Sequence, residues 1–260
     1  MVRRGLTASR ERAQADIAAG RVLVGGTIAV KAARLVGPGE PIVIKGPGPR
    51  FVSRAGDKLD GALERFAVDV VGLRVLDAGA STGGFSDCLL QRGAARIVAV
   101  DVGYGQLHER VSGDPRVRVM DRTNVRHLDA AVVGEPIDLV TADLSFISLR
   151  LVVDALLSVL EGEGQVVSLV KPQFEAGREI VARGRGLVDD PVVWAAVLDE
   201  VTSAFEARGA AIMGVMVSPI TGAEGNVEFL LHARLGGVPG SARPDLVQAA
   251  VAEAVERNPS

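Results

Sequence analysis

Arg74-Val75-Leu76-Asp77-Ala78-Gly79-Ala80-Ser81-Thr82-Gly83-Gly84-Phe85 is the stretch on which the fold turns. A short apolar run ends in an acid and opens into a glycine-rich turn, the pattern of a parallel strand feeding a loop that lets a ligand approach the main chain at a switch point of the sheet. What is missing narrows the ligand. The dinucleotide fingerprint G-x-G-x-x-G needs a second glycine where this chain has Ser81, and a Walker loop needs Gly-Lys-Ser or Gly-Lys-Thr, which is absent. Both phosphate-loop readings are weakened.

Outward from this turn, strand-like runs follow at Ile97 to Asp101, Val117 to Met120, Ile137 to Ala142 and Gln165 to Val170. A helical stripe of Ala55, Leu59, Ala62, Leu63 and Phe66 precedes them, and helical patterns at Ser148 to Leu160 and Pro191 to Arg208 lie between or after them. Such alternation predicts an α/β fold, a parallel sheet with helices on both faces. Ala211 to Val217 and Val227 to Ala233 have no helix between them, which predicts an antiparallel pair at one edge. A mostly parallel seven-stranded sheet with an antiparallel last strand resembles the Rossmann-like methyltransferases, and ordinary dinucleotide dehydrogenases lack that ending. Pro244 to Arg257 is expected as a helix packed on the body, with Pro244 at its first position.

The loop itself resembles an S-adenosylmethionine site built from Asp77, Gly79, Ser81, Thr82, Gly83, Gly84 and Phe85. Asp101 closes the next strand, 24 residues after Asp77, where a carboxylate can accept hydrogen bonds from both ribose hydroxyls. Asp121, Arg122, Thr123 and Asn124 follow the third strand and are expected at the adenine edge. S-adenosylmethionine is therefore the expected cofactor.

The composition, 48% hydrophobic and 23% charged over 260 residues, excludes a disordered or collagenous chain. Cys88 is the single cysteine, so no internal disulfide forms; no secretory signal or membrane span is evident, and the cytoplasm is the expected compartment. His108, His127 and His232 are scattered without partners at ligand spacing, so no metal is expected. Net charge is uneven. Residues 1 to 50 hold nine Arg or Lys against three Asp or Glu, a balance of +6, and the chain as a whole carries -3, leaving -9 for the rest. A basic module on an acidic body suggests contact with a polyanion.

Gly46-Pro47-Gly48-Pro49 breaks the chain, and the expected organisation is a small α/β domain at 1-48, a linker at 49-53, a catalytic domain at 54-240 and a C-terminal helix at 241-260. Within the first, Ser9 caps a helix presenting Ala13, Ile17 and Ala18 on one face, Gly20 ends it, Val22 to Val30 forms a hairpin turning at Gly25-Gly26, and Ile42-Val43-Ile44 is a third strand. This string resembles the small RNA-binding domain of the ribosomal-protein S-four type, also attached to pseudouridine synthases and tyrosyl-tRNA synthetases. Such domains usually begin with a further short helix carrying a Leu-Asp pair, so either a trimmed module or a start codon assigned too late is expected. Arg3, Arg4, Arg10, Arg12 and Arg21 are its candidate RNA contacts.

Ser53 to Leu59, Asp77 to Phe85, Asp101 to Leu107, Ala142 to Ser148, Leu169 to Glu175 and Gly225 to Phe229 together resemble the TlyA haemolysin family, ribosomal RNA 2′-O-methyltransferases related to the FtsJ-like methyltransferases. The resemblance implies a Lys-Asp-Lys-Glu tetrad at Lys58, Asp143, Lys171 and Glu228, a cytidine target in large-subunit RNA and in some members also in small-subunit RNA, and a ribosomal partner; a monomer is expected. The chemistry agrees. A ribose hydroxyl is a weak acid, so it must be aligned with the methyl donor and relieved of its proton. Lys171, at a strand end before Pro172, is the expected base, oriented by Asp143, while Lys58 and Glu228 position the sugar and each other. Phe146 is a candidate to stack on a flipped base. Residues 172 to 190, with Arg178, Arg183 and Arg185 among glycines, are expected as a mobile phosphate-gripping loop. The rival expectations are a membrane-active haemolysin, which needs a lipid-facing helix or barrel strands, and a catalytically silent ribosome-assembly factor.

Overall fold

The computed structural model describes all residues except 8, 9, 47, 223, 224, 240, 259 and 260, and only the backbone of 11, 12, 15 and 178. The expected cap Ser9, Pro47 of the break and the side chains of Arg12 and Arg178 therefore lie outside the described residues. The chain divides into two units, Met1–Arg50 and Phe51–Ser260.

In the smaller unit a 3-10 turn at Val2–Arg4 is followed by helix α1 (Arg10–Ala18) and strands β1 (Val22–Val24), β2 (Thr27–Ile28) and β3 (Ile42–Ile44). The sheet runs β2-β1-β3, all antiparallel. Gly25 and Gly26 both have positive φ, 58° and 85°, the requirement of a two-residue turn whose twist matches the strands. Val22, Val24 and Ala29 form a small core.

The larger unit contains α2 (Ala55–Arg65), β4 (Arg74–Ala78), α3 (Gly84–Gln91), β5 (Arg96–Val100), α4 (Glu109–Ser112), β6 (Val117–Met120), α5 (Ala130–Val133), β7 (Ile137–Ala142), α6 (Val153–Ser158) and β8 (Leu160–Val170). It continues through α7 (Pro172–Glu175), α8 (Arg178–Arg183), α9 (Pro191–Glu206), β9 (Ala210–Val217), β10 (Phe229–Leu235) and α10 (Arg243–Arg257). Its sheet has the order β6-β5-β4-β7-β8-β10-β9. β4 to β8 pair in parallel, and β10 is antiparallel to both neighbours. Because side chains alternate along a strand, Leu76, Val98, Val140 and Val166 enter one core and Val75, Ile97, Leu139 and Val167 the other. Both faces are covered, which is why these strands are almost uniformly apolar.

Three expectations need correction. Ser148 to Leu160 is not one helix: a 3-10 turn at Leu149–Leu151 precedes α6, and Leu160 already pairs with Ile137 in the sheet. Apolar periodicity carried the expected helix through the turn at Val159 and one residue into β8, because a buried helix and a buried strand share apolar residues at their junction. Residues 172 to 190 are not an open loop; they hold α7 and α8. Phe51, expected in the linker, is 2% exposed in the core of the larger unit, packed so closely on Gly56 that a Cβ there would lie 2.4 Å from its ring. α10 also belongs to this unit, burying Val247, Ala250 and Ala254.

Candidate active site

The turn after β4 is held from three sides. Gly79 has φ 82°, and a Cβ on it would stand 2.6 Å from the Asp143 carbonyl oxygen, so glycine is required both by backbone hand and by the close passage of β7's end. Ser81 also has positive φ, 48°, the left-handed conformation that the missing fingerprint glycine would have supplied. Its N–H donates to Asp101 Oδ2 at 2.8 Å, and the Gly103 N–H donates to Asp101 Oδ1 at 2.7 Å. Each carboxylate oxygen keeps a second lone pair for a hydroxyl donor. α3 starts at Gly84 without a side-chain cap hydrogen bond from Gly83; the Ser86 amide turns to Asp77, which leaves the Gly84 and Phe85 amides for an anionic ligand group. Gly84 itself abuts α2: a Cβ there would come within 2.1 Å of Ser53 Oγ.

Asp77 does not face the ligand side. It is fully enclosed; Ser86 Oγ donates to it at 2.6 Å, and the Thr141 hydroxyl lies 3.4 Å away. Burial, with a smaller push from Asp143, raises its pKa to about 7. Asp77 thus shapes the loop from beneath. Phe85, 2% exposed, anchors α3 in the core.

Beside this loop a cavity of about 140 Å³ is lined by Ser53, Ala55, Gly79 to Thr82, Gly84, Phe85, Asp143, Ser145 and Lys171. Ser53, Ala55 and Ser145 lie in stretches that carry the family resemblance but were assigned no role there; the fold places them on the cavity wall.

The four tetrad residues form two ion pairs. Lys171 Nζ lies 2.6 Å from Asp143 Oδ1 and donates to Ser145 Oγ at 3.1 Å. Lys58 Nζ donates to Glu228 Oε2 at 2.5 Å. Asp143 and Lys171 follow the last residues of the neighbouring parallel strands β7 and β8. The β8–β10 register ends with Phe229 opposite Val170, making Glu228 and Lys171 the next residues on the two strands. Lys58 enters from α2, one turn beyond Ala55. Glu228 is sealed by the segment before it: a Cβ on Gly222 would sit 2.5 Å from Glu228 Oε1.

At the ends of β5 and β6 the adenine-edge candidates are laced together. Asp121 accepts from the Gly105 N–H, the Arg122 and Thr123 amides donate to the carbonyls of Gly103 and Asp101, and the Arg122 guanidinium lies 4.4 Å over the Tyr104 ring. Asn124 Oδ1 caps the following turn by accepting from the Arg126 N–H.

The RNA-contact candidates divide. Arg4 donates to the carbonyls of Gly37, Pro38 and Glu40, and Arg21 pairs with buried Asp16, so both brace the small unit. Arg3, Arg10, Arg183 and Arg185 are exposed. Phe146 is 92% exposed with φ 63° and packs on Phe174 at 5.2 Å between ring centroids. A positive φ in a bulky residue is a strained conformation that persists only where its surroundings impose it. Asn226, which sequence reasoning passed over, accepts from the Val188 N–H and donates to the Gly186 carbonyl, tying the Glu228 strand to the segment bearing Arg183 and Arg185.

Among the described residues no group of three His, Cys, Asp or Glu could hold a metal, and no helix is long and apolar enough to cross a membrane. His232 is neutral in the core, its pKa lowered to about 4 by burial, with Nε2 2.8 Å from Gln165 Oε1.

A seven-stranded sheet of this order, with a glycine turn after β4 and an acid at the end of β5, defines the S-adenosylmethionine-dependent methyltransferase class. The cradle fits the cofactor: a glycine-rich turn whose residues Gly79 to Thr82 and Gly84 line the cavity, and at Asp101 a carboxylate with lone pairs left for ribose hydroxyls. Residues 51–235 match the model of the FtsJ-like methyltransferases. The chain is 48% identical over 235 residues to the 16S/23S rRNA (cytidine-2′-O)-methyltransferase TlyA of Mycobacterium tuberculosis, covering 90% of this chain and 87% of that one. It is 36% identical to Hemolysin A of Brachyspira hyodysenteriae, with 88% and 95% covered. A solved structure of a hemolysin-named protein from Streptococcus thermophilus superposes with a TM-score of 0.78 at 38% identity, covering 97% and 94%. The chain belongs to the FtsJ-like methyltransferase family, and within it to the TlyA group.

Proposed function

We propose that the protein transfers a methyl group from S-adenosylmethionine to the 2′-hydroxyl of a cytidine in ribosomal RNA of the large subunit, and also of the small subunit. The observation that carries this reading is the pair of lysine–carboxylate contacts at the ends of β7, β8 and β10, one of them lining the cavity beside the glycine turn. The similarity to the M. tuberculosis protein, whose name states that reaction, supports the substrate.

When bound, the cofactor supplies a methyl group on a positively charged sulfur, an electrophile that needs little activation. The protein's task is the nucleophile. Lys171 acts as base in its neutral form: its ammonium first gives a proton to water through the cavity, the amine then takes the hydroxyl proton as the methyl group is transferred, and Asp143, at 2.6 Å, aims the amine and balances the charge it regains. Ser145 Oγ fixes the amine from a second direction. Lys58 and Glu228, nearly enclosed, form the wall against which the ribose is set. Gly79, Ser81, Thr82, Gly83 and Gly84 hold the amino acid end of the cofactor, Asp101 its ribose, and Asp121 to Asn124 border its adenine. Phe146 stacks on the target base. The basic unit 1–50 acts as the S-four-type RNA module, with Arg3 and Arg10 free of the bracing duty that Arg4 and Arg21 perform; Arg183 and Arg185 add phosphate contacts. The protein works in the cytoplasm as a monomer.

A nucleotide-resolution map of ribosomal RNA methylation in cells with and without the protein tests the reading. A cytidine ribose that loses its methyl group with the gene, and regains it with purified protein and cofactor, is the expected result. An unchanged map, with purified protein that fails to label subunits, would leave a silent assembly factor as the better account.

A further inference from the structure

The loops leaving β7 and β8 are joined well beyond the Asp143–Lys171 contact. Three residues on from Asp143, Phe146 meets Phe174, which is three on from Lys171. Further out a buried carboxylate, Glu175, 6% exposed, reaches back across the gap. Its Oε2 accepts from Ser148 Oγ at 2.6 Å and its Oε1 from the Leu149 N–H at 2.6 Å. Arg150 Nε lies 3.3 Å from Oε2, and Arg150 Nη2 donates to the Glu175 carbonyl at 3.2 Å. Arg150 also pairs with Glu200 on α9. The two loops are thus fastened at both ends, by Asp143–Lys171 at the cavity and by Glu175 at the far end.

We infer that Glu175 is a positioning residue for methyl transfer: its carboxylate straps the loop 143–150 to the segment carrying Lys171 and so sets where Asp143 and Phe146 stand. The inference rests on the catalytic reading of Lys171 and Asp143. Its physical basis is the cost of the alternative. A buried carboxylate is retained only when its oxygens are satisfied, and Glu175 is satisfied almost wholly by the loop that bears Asp143 rather than by its own short helix. The strap also supplies what the positive φ of Phe146 requires, since a strained residue stays in place only if both flanks are held. The flanks here are the Asp143 carbonyl against the glycine turn and the Ser148–Leu149 link to Glu175. Freed at one end, the loop relaxes, and a displacement near 1 Å in a reacting group lowers a rate by up to about 100-fold.

Three full-length variants, Glu175→Ala, Glu175→Gln and Ser148→Ala, test this by single-turnover methyl transfer to ribosomal subunits, calorimetric affinity for S-adenosylmethionine, and amide hydrogen exchange. Glu175→Ala is expected to lower the rate roughly 10- to 100-fold, leave cofactor affinity within about twofold, and speed exchange at 144–150 but not in β4 or β5. Glu175→Gln keeps an acceptor for the Leu149 N–H, and its amide can donate to Ser148, so it should recover most of the rate. Ser148→Ala, which removes one bond of the strap and spares the rest, should lower the rate several-fold and keeps the test available if the alanine variant at Glu175 does not fold. In an Asp143→Asn background Glu175→Ala should add less than its loss in the wild-type background, because part of its effect passes through the Asp143–Lys171 contact. Wild-type rate in Glu175→Ala or Ser148→Ala, unchanged exchange at 144–150, or a full multiplicative loss in the double variant would each overturn the inference. A failure of the catalytic reading is seen separately: it would leave Lys171→Ala active while the exchange data still report whether Glu175 holds the loop.

Discussion

The two lysine–carboxylate pairs are chemically alike and differently housed. Lys58–Glu228 is enclosed, with side chains 10% and 4% exposed, under a segment that tolerates no Cβ at Gly222. Lys171–Asp143 lines the cavity, with side chains 10% and 18% exposed, so that the lysines are equally covered and the carboxylates differ, and it shares its amine with Ser145. An ion pair shut away from water is poor at exchanging protons and good at holding shape; one on a cavity wall can do the reverse. The contrast supports the proposed division, with positioning for the first pair and proton transfer for the second.

The largest expected effect strikes the enclosed pair. Lys58→Met leaves Glu228 buried without its cation and should cost about 3 to 5 kcal/mol of stability, while Lys171→Met, beside a cavity that admits water to Asp143, should cost clearly less. Denaturant unfolding of both variants measures the difference, and equal losses would erase the distinction between the pairs. Next in size, Lys171→Ala should lower methyl transfer at least about 100-fold with folding and cofactor affinity nearly intact. Lys171→Arg should fail almost as badly, because arginine keeps the charge but does not give up its proton; a largely active arginine variant would make Lys171 an electrostatic positioner. Asp101→Ala comes third. It removes charge-assisted contacts worth roughly 1.5 to 3 kcal/mol in net affinity, and it releases the Ser81 amide as well, so calorimetric affinity for S-adenosylmethionine should fall without change in the Lys58–Glu228 pair. Unchanged affinity would dissociate Asp101 from the cofactor.

The smallest effect links the cavity pair to the buried post beneath the loop. Asp77 has its pKa raised to about 7, so between its unfolded value near 3.9 and about 7 the folded protein holds a proton that the unfolded chain has lost. Stability from this group is therefore greatest at low pH and falls as pH rises through that window. Because burial is the main cause and Asp143 a lesser one, Asp143→Asn should move the Asp77 titration down by less than about one pH unit. Lys58→Met, acting on the other pair, should leave it in place. Carboxyl carbon NMR of Asp77 across pH 4 to 9 reads both shifts; a drop of several units in Asp143→Asn would make charge rather than burial the dominant cause.

Much of the architecture was legible because it is local. Asp77 to Phe85 states strand, turn and helix in one line of sequence, and the closely spaced antiparallel pair near the C-terminus announced itself by the absence of a helix between its strands. The junction at Leu160 was not, since whether an apolar residue ends a helix or begins a strand depends on the neighbour it meets, here Ile137. In the small unit, net charge could not tell an arginine that faces only solvent from one that braces the unit: Arg3 and Arg4 are adjacent in sequence and both exposed, yet Arg4 turns onto the carbonyls of Gly37, Pro38 and Glu40.

The sequence by itself determined the class of fold, the glycine-rich turn and the order of acids along successive strands, and through resemblance it nominated the four residues proposed as the tetrad. Only the tertiary structure decided that Ser81 takes the left-handed backbone of a missing glycine, that Asp77 lies beneath the loop rather than in it, that Lys58 faces Glu228 while Lys171 faces Asp143, and that Glu175 straps the loop bearing Asp143. The reason is range. Periodicity and turn chemistry act within a few residues, whereas each of these pairings joins side chains brought together by strand order and register across the sheet.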